Sequence, residues 1–314
     1  MNQSIRKNRL YFIIGCTACG KGAVGCALAR RIGGQIISVD SMKIYRRMDV
    51  GTAKPSAQLR AEIPHHCIDL VEPSEGFSVA EYLACADASI HAVLAGSAIP
   101  LAVGGTSLYI KALTEGLFED PSTDPRLRAE LTRRAEDLGH QALHAELALV
   151  DPVSAERIHP NDLRRIVRAL EVYRSTGRPI SSLQRQWDAG ARRYDCVFVG
   201  LRRDQADLHR RIVMRVRRMM QAGLAEEVAR LLAEPAGLSS QAAQAVGYAE
   251  IIEHLRGGCS LDQAVEHIKI NTRRLAKKQR TWHRRWRDVK WFDLPPDEQA
   301  DQTARRILAE VRFE

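Results

Sequence analysis

An apolar run, Leu10-Tyr11-Phe12-Ile13-Ile14, leads into Gly15-Cys16-Thr17-Ala18-Cys19-Gly20-Lys21-Gly22, and a helix-compatible run follows from Ala23 to Ile32. A strand, a glycine-rich turn and a helix in that order constrain the fold more than any other feature of the chain. Glycine-rich backbone can turn its N–H groups inward, and the helix adds the positive end of its dipole, so polyphosphate oxygens are cradled there. Lys21 supplies a mobile positive charge. The usual spacing, G-x-x-x-x-G-K-[ST], ends in a hydroxyl that helps to hold Mg²⁺, and here that position is Gly22. The phosphate signal is strong and the metal signal weakened.

The rest of the first third alternates in the same way. Gln35 to Val39 is a short β-type run ending in Asp40-Ser41, where open α/β sheets place their ligands. Met42 to Pro64 reads as an active-site loop with short helical pieces, and His65 to Leu70 as a third strand. Apolar positions from Ser78 to Leu94 fall at helical spacing. Ile99 to Val103 is a buried-type strand running into Gly104-Gly105-Thr106, and Leu108 to Leu113 resumes as helix. This pattern predicts an α/β fold, a parallel sheet core of the phosphate-loop type flanked by helices. From Asp124 to about Tyr194 there is no convincing strand, while Leu127 to Leu138, Gln141 to Leu149 and Asp162 to Ser175 read as helices with Pro or Gly between them, which predicts an all-helical insertion. Cys196 to Leu201 then returns to the sheet, Asp204 to Ala222, Ala225 to Ala233 and Leu261 to Trp286 are helical, and Lys290 to Phe292 is a late strand. The expected organisation is a core over 1–123, an insertion over 124–194 and a core continuation over 195–314.

Seven cysteines are scattered through apolar or small-residue surroundings, which argues against a disulfide framework and fits a reducing cytoplasm. The apolar run after the basic start is too short for a signal or membrane segment, so no membrane association is expected. Cys16 and Cys19 have redox or metal spacing, but without a second pair they read as small side chains tolerated in the loop. His65 and His66 point to opposite faces of a strand, which suits orienting roles better than one shared ion.

Charge distribution points to the partner. The net charge is +9, and between Arg273 and Lys290 nine Lys and Arg residues face the single acid Asp288, with Trp282, Trp286 and Trp291 interleaved. Basic side chains neutralise phosphates while indole and guanidinium faces stack on unpaired bases, so RNA is favoured over a small acidic metabolite. Further basic clusters are Arg164, Arg165 and Arg168 in the insertion, and Arg210, Arg211, Arg215, Arg217 and Arg218 after the last long strand. The strand over Leu101 to Val103 ends in Gly-Gly-Thr where nucleotide hydrolases place an acid, so phosphoryl transfer is not the obvious chemistry. Asp40 remains as a base or metal-side ligand, with Thr106 near the same sheet edge.

Longer motifs then become visible: Asp40-Ser41-Met42-Lys43-Ile44-Tyr45-Arg46-Arg47-Met48-Asp49-Val50-Gly51-Thr52-Ala53-Lys54-Pro55, Pro64-His65-His66-x-Ile68-Asp69, and Gly104-Gly105-Thr106-x-Leu108-Tyr109. His159-Pro160-Asn161-Asp162, Arg165-x-x-Arg168-Ala169-Leu170-Glu171, Ala245-Val246-Gly247-Tyr248-x-Glu250 and Thr272-Arg273 with Ala276-Lys277-Lys278-Gln279-x-Thr281-Trp282 follow in order. The chain resembles the tRNA dimethylallyltransferase family over about residues 10 to 290. The resemblance implies transfer of a dimethylallyl group from its diphosphate to N6 of the adenosine at tRNA position 37, beside the anticodon. It assigns the diphosphate to Gly15 through Gly22 with Mg²⁺, and makes Asp40, Thr106 and Arg215 catalytic. Asp40 is the candidate base and Arg215 the diphosphate-side cation.

By the same resemblance, the tRNA anticodon stem-loop meets Asp40, Ser41, Met42, Lys43, Thr106, Arg128, Arg164, Arg165, Ile166, Val167 and Arg168. It also meets Ala245, Val246, Gly247 and Tyr248, and Lys277, Lys278, Gln279, Arg280, Thr281, Trp282, His283 and Arg284. A cytoplasmic monomer is expected. The chain departs from the family's usual loop at Cys16, Cys19 and Gly22, and from its Gly-Thr-Gly at Ser107. Two other readings stay open on the residues: a phosphate-loop kinase of a small molecule, and an RNA-binding protein whose chemistry ended with Gly22.

Overall fold

The computed structural model describes residues 9–117, 124–184, 192–286 and 288–314. Its strands are β1 (Arg9–Gly15), β2 (Gly34–Val39), β3 (His65–His66), β4 (Ile99–Gly104), β5 (Asp195–Arg202) and β6 (Val289–Asp293). They form one sheet in the order β3-β2-β4-β1-β5-β6, and every pairing is parallel. Leu10 to Ile14 of β1 are fully buried, as expected where helices cover both faces of a parallel sheet. Helices α1 (Lys21–Ile32), α2 (Ala57–Glu62), α3 (Val79–Ala95) and α4 (Ser107–Glu115) accompany the first strands. Ser78 and Glu81 form a capping box that starts α3 where the periodicity begins.

The chain divides into two compact units. One runs to Thr114 and resumes at Tyr194; the other spans Glu115 to Arg193. The second unit consists of α5 (Pro125–Leu138), α6 (His140–Val150), α7 (Pro152–Arg157), α8 (Leu163–Thr176) and α9 (Ile180–Leu183), packed on Leu131, Leu143, Leu147, Ile166 and Leu170. Back in the first unit, α10 (Gln205–Gln221), α11 (Leu224–Leu232), α12 (Ser240–Ala243), α13 (Tyr248–Leu255) and α14 (Leu261–His283) precede β6, and α15 (Ala300–Glu310) follows it.

Three expectations change. The third strand stops after two residues instead of reaching Leu70, because Cys67 (φ 59°) and Asp69 (φ 54°) turn the backbone out of the ladder. The long basic helix ends at His283 rather than Trp286. Helices α7, α9, α12, α13 and α15 add elements that the periodicity does not separate from loop. His65 and His66 do take different partners: His65 Nδ1 lies 2.7 Å from Ile63 O, and His66 Nε2 2.7 Å from Gln35 Oε1. Burial lowers the pKa of both.

At the carboxyl edge of the sheet, β2 and β4 approach so closely that a Cβ on Gly104 would sit 2.0 Å from the Val39 carbonyl oxygen. Only backbone fits there. Gly104→Ala must therefore force the strand ends away from each other, and we expect a loss of about 2 kcal/mol or more, read as a lower denaturant midpoint with an unchanged slope.

Candidate active site

Register brings the chemistry-bearing residues to one edge. Ile14 and Val39 both pair with Gly104, so the phosphate loop after β1, Asp40 after β2 and Gly105-Thr106 after β4 emerge side by side. The N–H groups of Gly105 and Thr106 both donate to Val39 O at 3.2 Å. Thr106 Oγ1 accepts from the Ser41 N–H at 3.1 Å, and Asp40 Oδ1 accepts from the Met42 N–H at 3.0 Å. The second bond is an Asx-type turn that fixes the carboxylate. Asp40, Ser41, Met42 and Thr106 are thereby brought together, all half-buried.

The phosphate loop is shaped by left-handed backbone at Ala18 (φ 63°) and Gly20 (φ 105°). Its carbonyls are held by cationic side chains. Lys21 Nζ donates to Cys16 O at 3.3 Å, Arg211 Nε to Ala18 O at 3.0 Å and Arg203 Nε to Cys19 O at 2.8 Å. The Thr17 and Cys19 N–H groups are also engaged, the latter by Cys16 O at 3.3 Å, so the remaining N–H groups of the loop are the polar face left for an anion. Gln279 of α14 clamps the assembly: its Oε1 accepts from the Thr17 N–H at 2.7 Å while its Nε2 donates to Gly105 O at 2.9 Å. Cys16 and Cys19 are buried free thiols inside the loop. Their mutual hydrogen bond raises the Cys16 pKa and lowers that of Cys19.

Electrostatics single out the same place. Burial lowers the pKa of Lys43, and the charges of Lys21 and Arg215 add to that effect while Asp40 opposes it. Burial likewise lowers Arg215, again opposed by Asp40. Lys43 and Arg215 thus share the Asp40 carboxylate in a partly desolvated site, with Lys21 near enough to repel Lys43, an arrangement that a polyanion relieves. Arg211 and Arg215 lie four residues apart on α10 and so face the same way.

The loop after Asp40 is held by buried groups that sequence reasoning does not single out. Lys54, its side chain 1% exposed, pairs with Asp49 and Asp69 at 2.6 Å each and donates to Tyr45 O at 2.7 Å. Glu227 of α11 accepts from the N–H groups of Asp49, Val50 and Gly51 at 3.0, 2.9 and 3.2 Å, and from the Tyr248 hydroxyl at 2.5 Å. Helical spacing alone leaves Glu227 among ordinary surface acids; nothing local announces its partners.

Burial sorts the residues expected to meet RNA. Ala245, Tyr248 and His283 are at most 5% exposed, and Ile166 and Val167 fill the core of the second unit, so these side chains serve packing. Gln279 spends its amide on the loop. Lys277, Lys278, Thr281 and Arg284 are exposed, whereas Val246, Arg280 and Trp282 are half-buried and Gly247 is buried. Arg285 lies over the Trp282 ring at 4.8 Å, while Trp286 stacks on Phe198 at 5.3 Å and the Trp291 ring packs over Gly200. Arg287 lies outside the described residues. In the second unit Arg164 and Arg165 are exposed, and the buried Glu171 holds both Arg128 and Arg168 at 2.8 Å.

Residues 43–286 match the model of a family described as IPP transferase. The chain belongs to the IPP transferase family. A tRNA dimethylallyltransferase of Anaeromyxobacter dehalogenans is 46% identical over 300 residues, covering 96% of this chain and 97% of that protein. The tRNA isopentenylpyrophosphate transferase of Bacillus halodurans has a solved structure that aligns at TM-score 0.69 with 37% identity, over 96% of each chain. A eukaryotic dimethylallyltransferase acting on tRNA aligns at TM-score 0.77 with 26% identity, over 91% of this chain and 74% of that one. No helix among the described residues is long and apolar enough to cross a membrane.

This IPP transferase carries a buried histidine beside its phosphate loop. His283 Nε2 has no hydrogen-bond partner among the described residues, and burial together with the Lys21 charge lowers its pKa from 6.5 to about 4. The unfolded chain therefore binds a proton between pH 6.5 and 4 that the folded chain refuses. Stability falls as pH drops through that window, by up to about 3 kcal/mol from this group. Urea unfolding across the range should show the loss, and His283→Phe should shrink it.

Proposed function

We propose that this protein is a tRNA dimethylallyltransferase that alkylates N6 of the adenosine at tRNA position 37, using dimethylallyl diphosphate. One observation carries the reading: the Asp40 carboxylate sits at a strand end within electrostatic reach of Lys43 and Arg215, Lys43 in turn being repelled by Lys21, beside a loop whose Cys16, Ala18 and Cys19 carbonyls are already held by cations. Cations and loop amides bind the diphosphate, and the carboxylate faces the nucleophile.

The adenine amino nitrogen is a weak nucleophile because its lone pair is delocalised into the ring. As N6 attacks, a bond forms to the allylic carbon and the carbon–oxygen bond to diphosphate breaks. The N6 proton passes to Asp40, and the bond's electron pair leaves with diphosphate. Lys21, Arg215 and the loop N–H groups stabilise the charge that gathers there. Thr106, hydrogen-bonded to Ser41, lines the path between donor and base. The base leaves its stack to reach this edge, as chemistry on a ring edge requires. The exposed cations Lys277, Lys278 and Arg284, and in the second unit Arg164 and Arg165, suit the phosphates of an anticodon stem-loop.

Mg²⁺ suits the oxygen donors at hand, the Ser41 and Thr106 hydroxyls, with Ser41 in the role that Gly22 cannot fill. When bound, it would neutralise charge on the departing diphosphate.

Incubation with unmodified tRNA and labelled dimethylallyl diphosphate tests the reading. Label should enter the tRNA, be absent from a tRNA carrying guanosine at position 37, and fall by about 100-fold or more with Asp40→Ala. ATP consumption without labelling would replace this reading with a kinase. A Cβ at Gly22 meets nothing within 4 Å, so Gly22→Thr fits without rearrangement. It should lower the Mg²⁺ concentration for half-maximal transfer several-fold, and an unchanged Mg²⁺ curve would count against a missing ligand.

A further inference from the structure

Away from the sheet edge, the turn joining α13 to α14 gathers three side chains of different chemistry. Glu253 lies in the last two turns of α13, Cys259 immediately before the Ser260 cap of α14, and His267 on α14 itself. One ligand atom from each, a carboxylate oxygen, a thiol sulfur and an imidazole nitrogen, lies within 4.8 Å of the other two. We propose that Glu253, Cys259 and His267 form a Zn²⁺ site.

The chemistry of the donor set selects the metal. One sulfur, one nitrogen and one oxygen ligand suit a borderline cation that accepts tetrahedral geometry, whereas Mg²⁺ and Ca²⁺ take oxygen-only sets. Oxygen, nitrogen and sulfur ligands about 2.0 to 2.3 Å from a tetrahedral ion stand about 3.3 to 3.6 Å apart, so side-chain movements of about 1 Å suffice. Neither Glu253 nor His267 has a side-chain hydrogen bond or ion pair among the described residues that a metal would have to displace. The turn is already fixed by its backbone: the Gly258 N–H donates to Glu253 O at 2.9 Å, and the His254 ring nitrogen Nδ1 lies 2.9 Å from Cys259 O. Without a cation, partial burial and the Glu253 charge push the Cys259 thiol up. A divalent ion reverses that balance, because it binds the thiolate and releases the proton.

Glu253 and His267 are exposed and Cys259 half-buried, so the site opens to solvent and keeps a fourth position for water. It ties α13 to α14 near the end opposite the active edge. Glu250 already links the same two helices by accepting from Asn271 Nδ2 at 2.7 Å and from the Gly247 N–H at 2.7 Å. Zinc here braces the helix that presents Gln279 to the phosphate loop.

Full-length protein freed of metal with a chelator is titrated with Co²⁺, whose thiolate charge-transfer band reports sulfur ligation. We expect one saturating equivalent, displaced by Zn²⁺ but not by excess Mg²⁺. Cys259→Ser should abolish the band. Glu253→Gln and His267→Gln should each weaken Co²⁺ binding by about tenfold or more, with unchanged far-ultraviolet circular dichroism. Cys85→Ser should leave binding intact. A band that survives Cys259→Ser, a band lost instead with Cys16→Ser, or no saturable binding at all would overturn the proposal.

Discussion

Where β1, β2 and β4 end, backbone packs against backbone, and the active edge depends on that contact. A side chain at Gly105 would meet Gln279 Nε2 at 2.7 Å and Gly15 O at 2.9 Å, so the ends of β1 and β4 meet each other and helix α14 with no room for a side chain on Gly105. Convergence lets one amide, that of Gln279, span from the phosphate loop to the end of β4. It also sets Thr106 against Ser41 and brings Asp40 within electrostatic reach of Lys43 in its own loop and Arg215 on α10. Wider spacing would admit water, and the cations would lose the desolvation that makes them receptive to an anion.

That desolvation has a cost, which the surrounding residues offset. Partly buried cations with lowered pKa values are unfavourable in the empty site and become favourable when a diphosphate enters, so binding energy is concentrated where charge develops. The loop carrying Met42 and Lys43 is made rigid from below by Lys54 and Glu227. Both are buried ions with all their partners in place, which holds a long irregular segment to one conformation.

Much of the sheet is legible because parallel strands buried on both faces read as apolar runs, and β1, β2, β4, β5 and β6 all lie where such runs fall. The third strand is shorter than its pattern implies. Its apolar and polar residues continue past the point where Cys67 and Asp69 adopt positive φ, and side-chain pattern carries no record of a backbone turn. Short helices such as α7 and α12 hold too few residues to display a period. Asp40, Lys21 and Thr106 can be found from their places after strands and glycines. Arg203, Gln279 and Glu227 cannot, since each acts on backbone groups more than 170 residues away in the chain.

The sequence by itself determined the sheet, the phosphate loop, the residues at the strand ends and the family, because these follow from local spacing and from motifs that keep their order. Tertiary structure alone decided which basic and aromatic residues face solvent and which are spent inside. Tyr248 and His283 lie within motifs that resemble RNA contacts, yet both are buried, while Trp286 and Trp291 serve the core. The same decision gave Gln279 to the phosphate loop and drew Glu253, Cys259 and His267 into one turn. A side chain's partners are set by how helices pack, and packing sums over contacts that are distant in sequence, so no window of residues records the outcome.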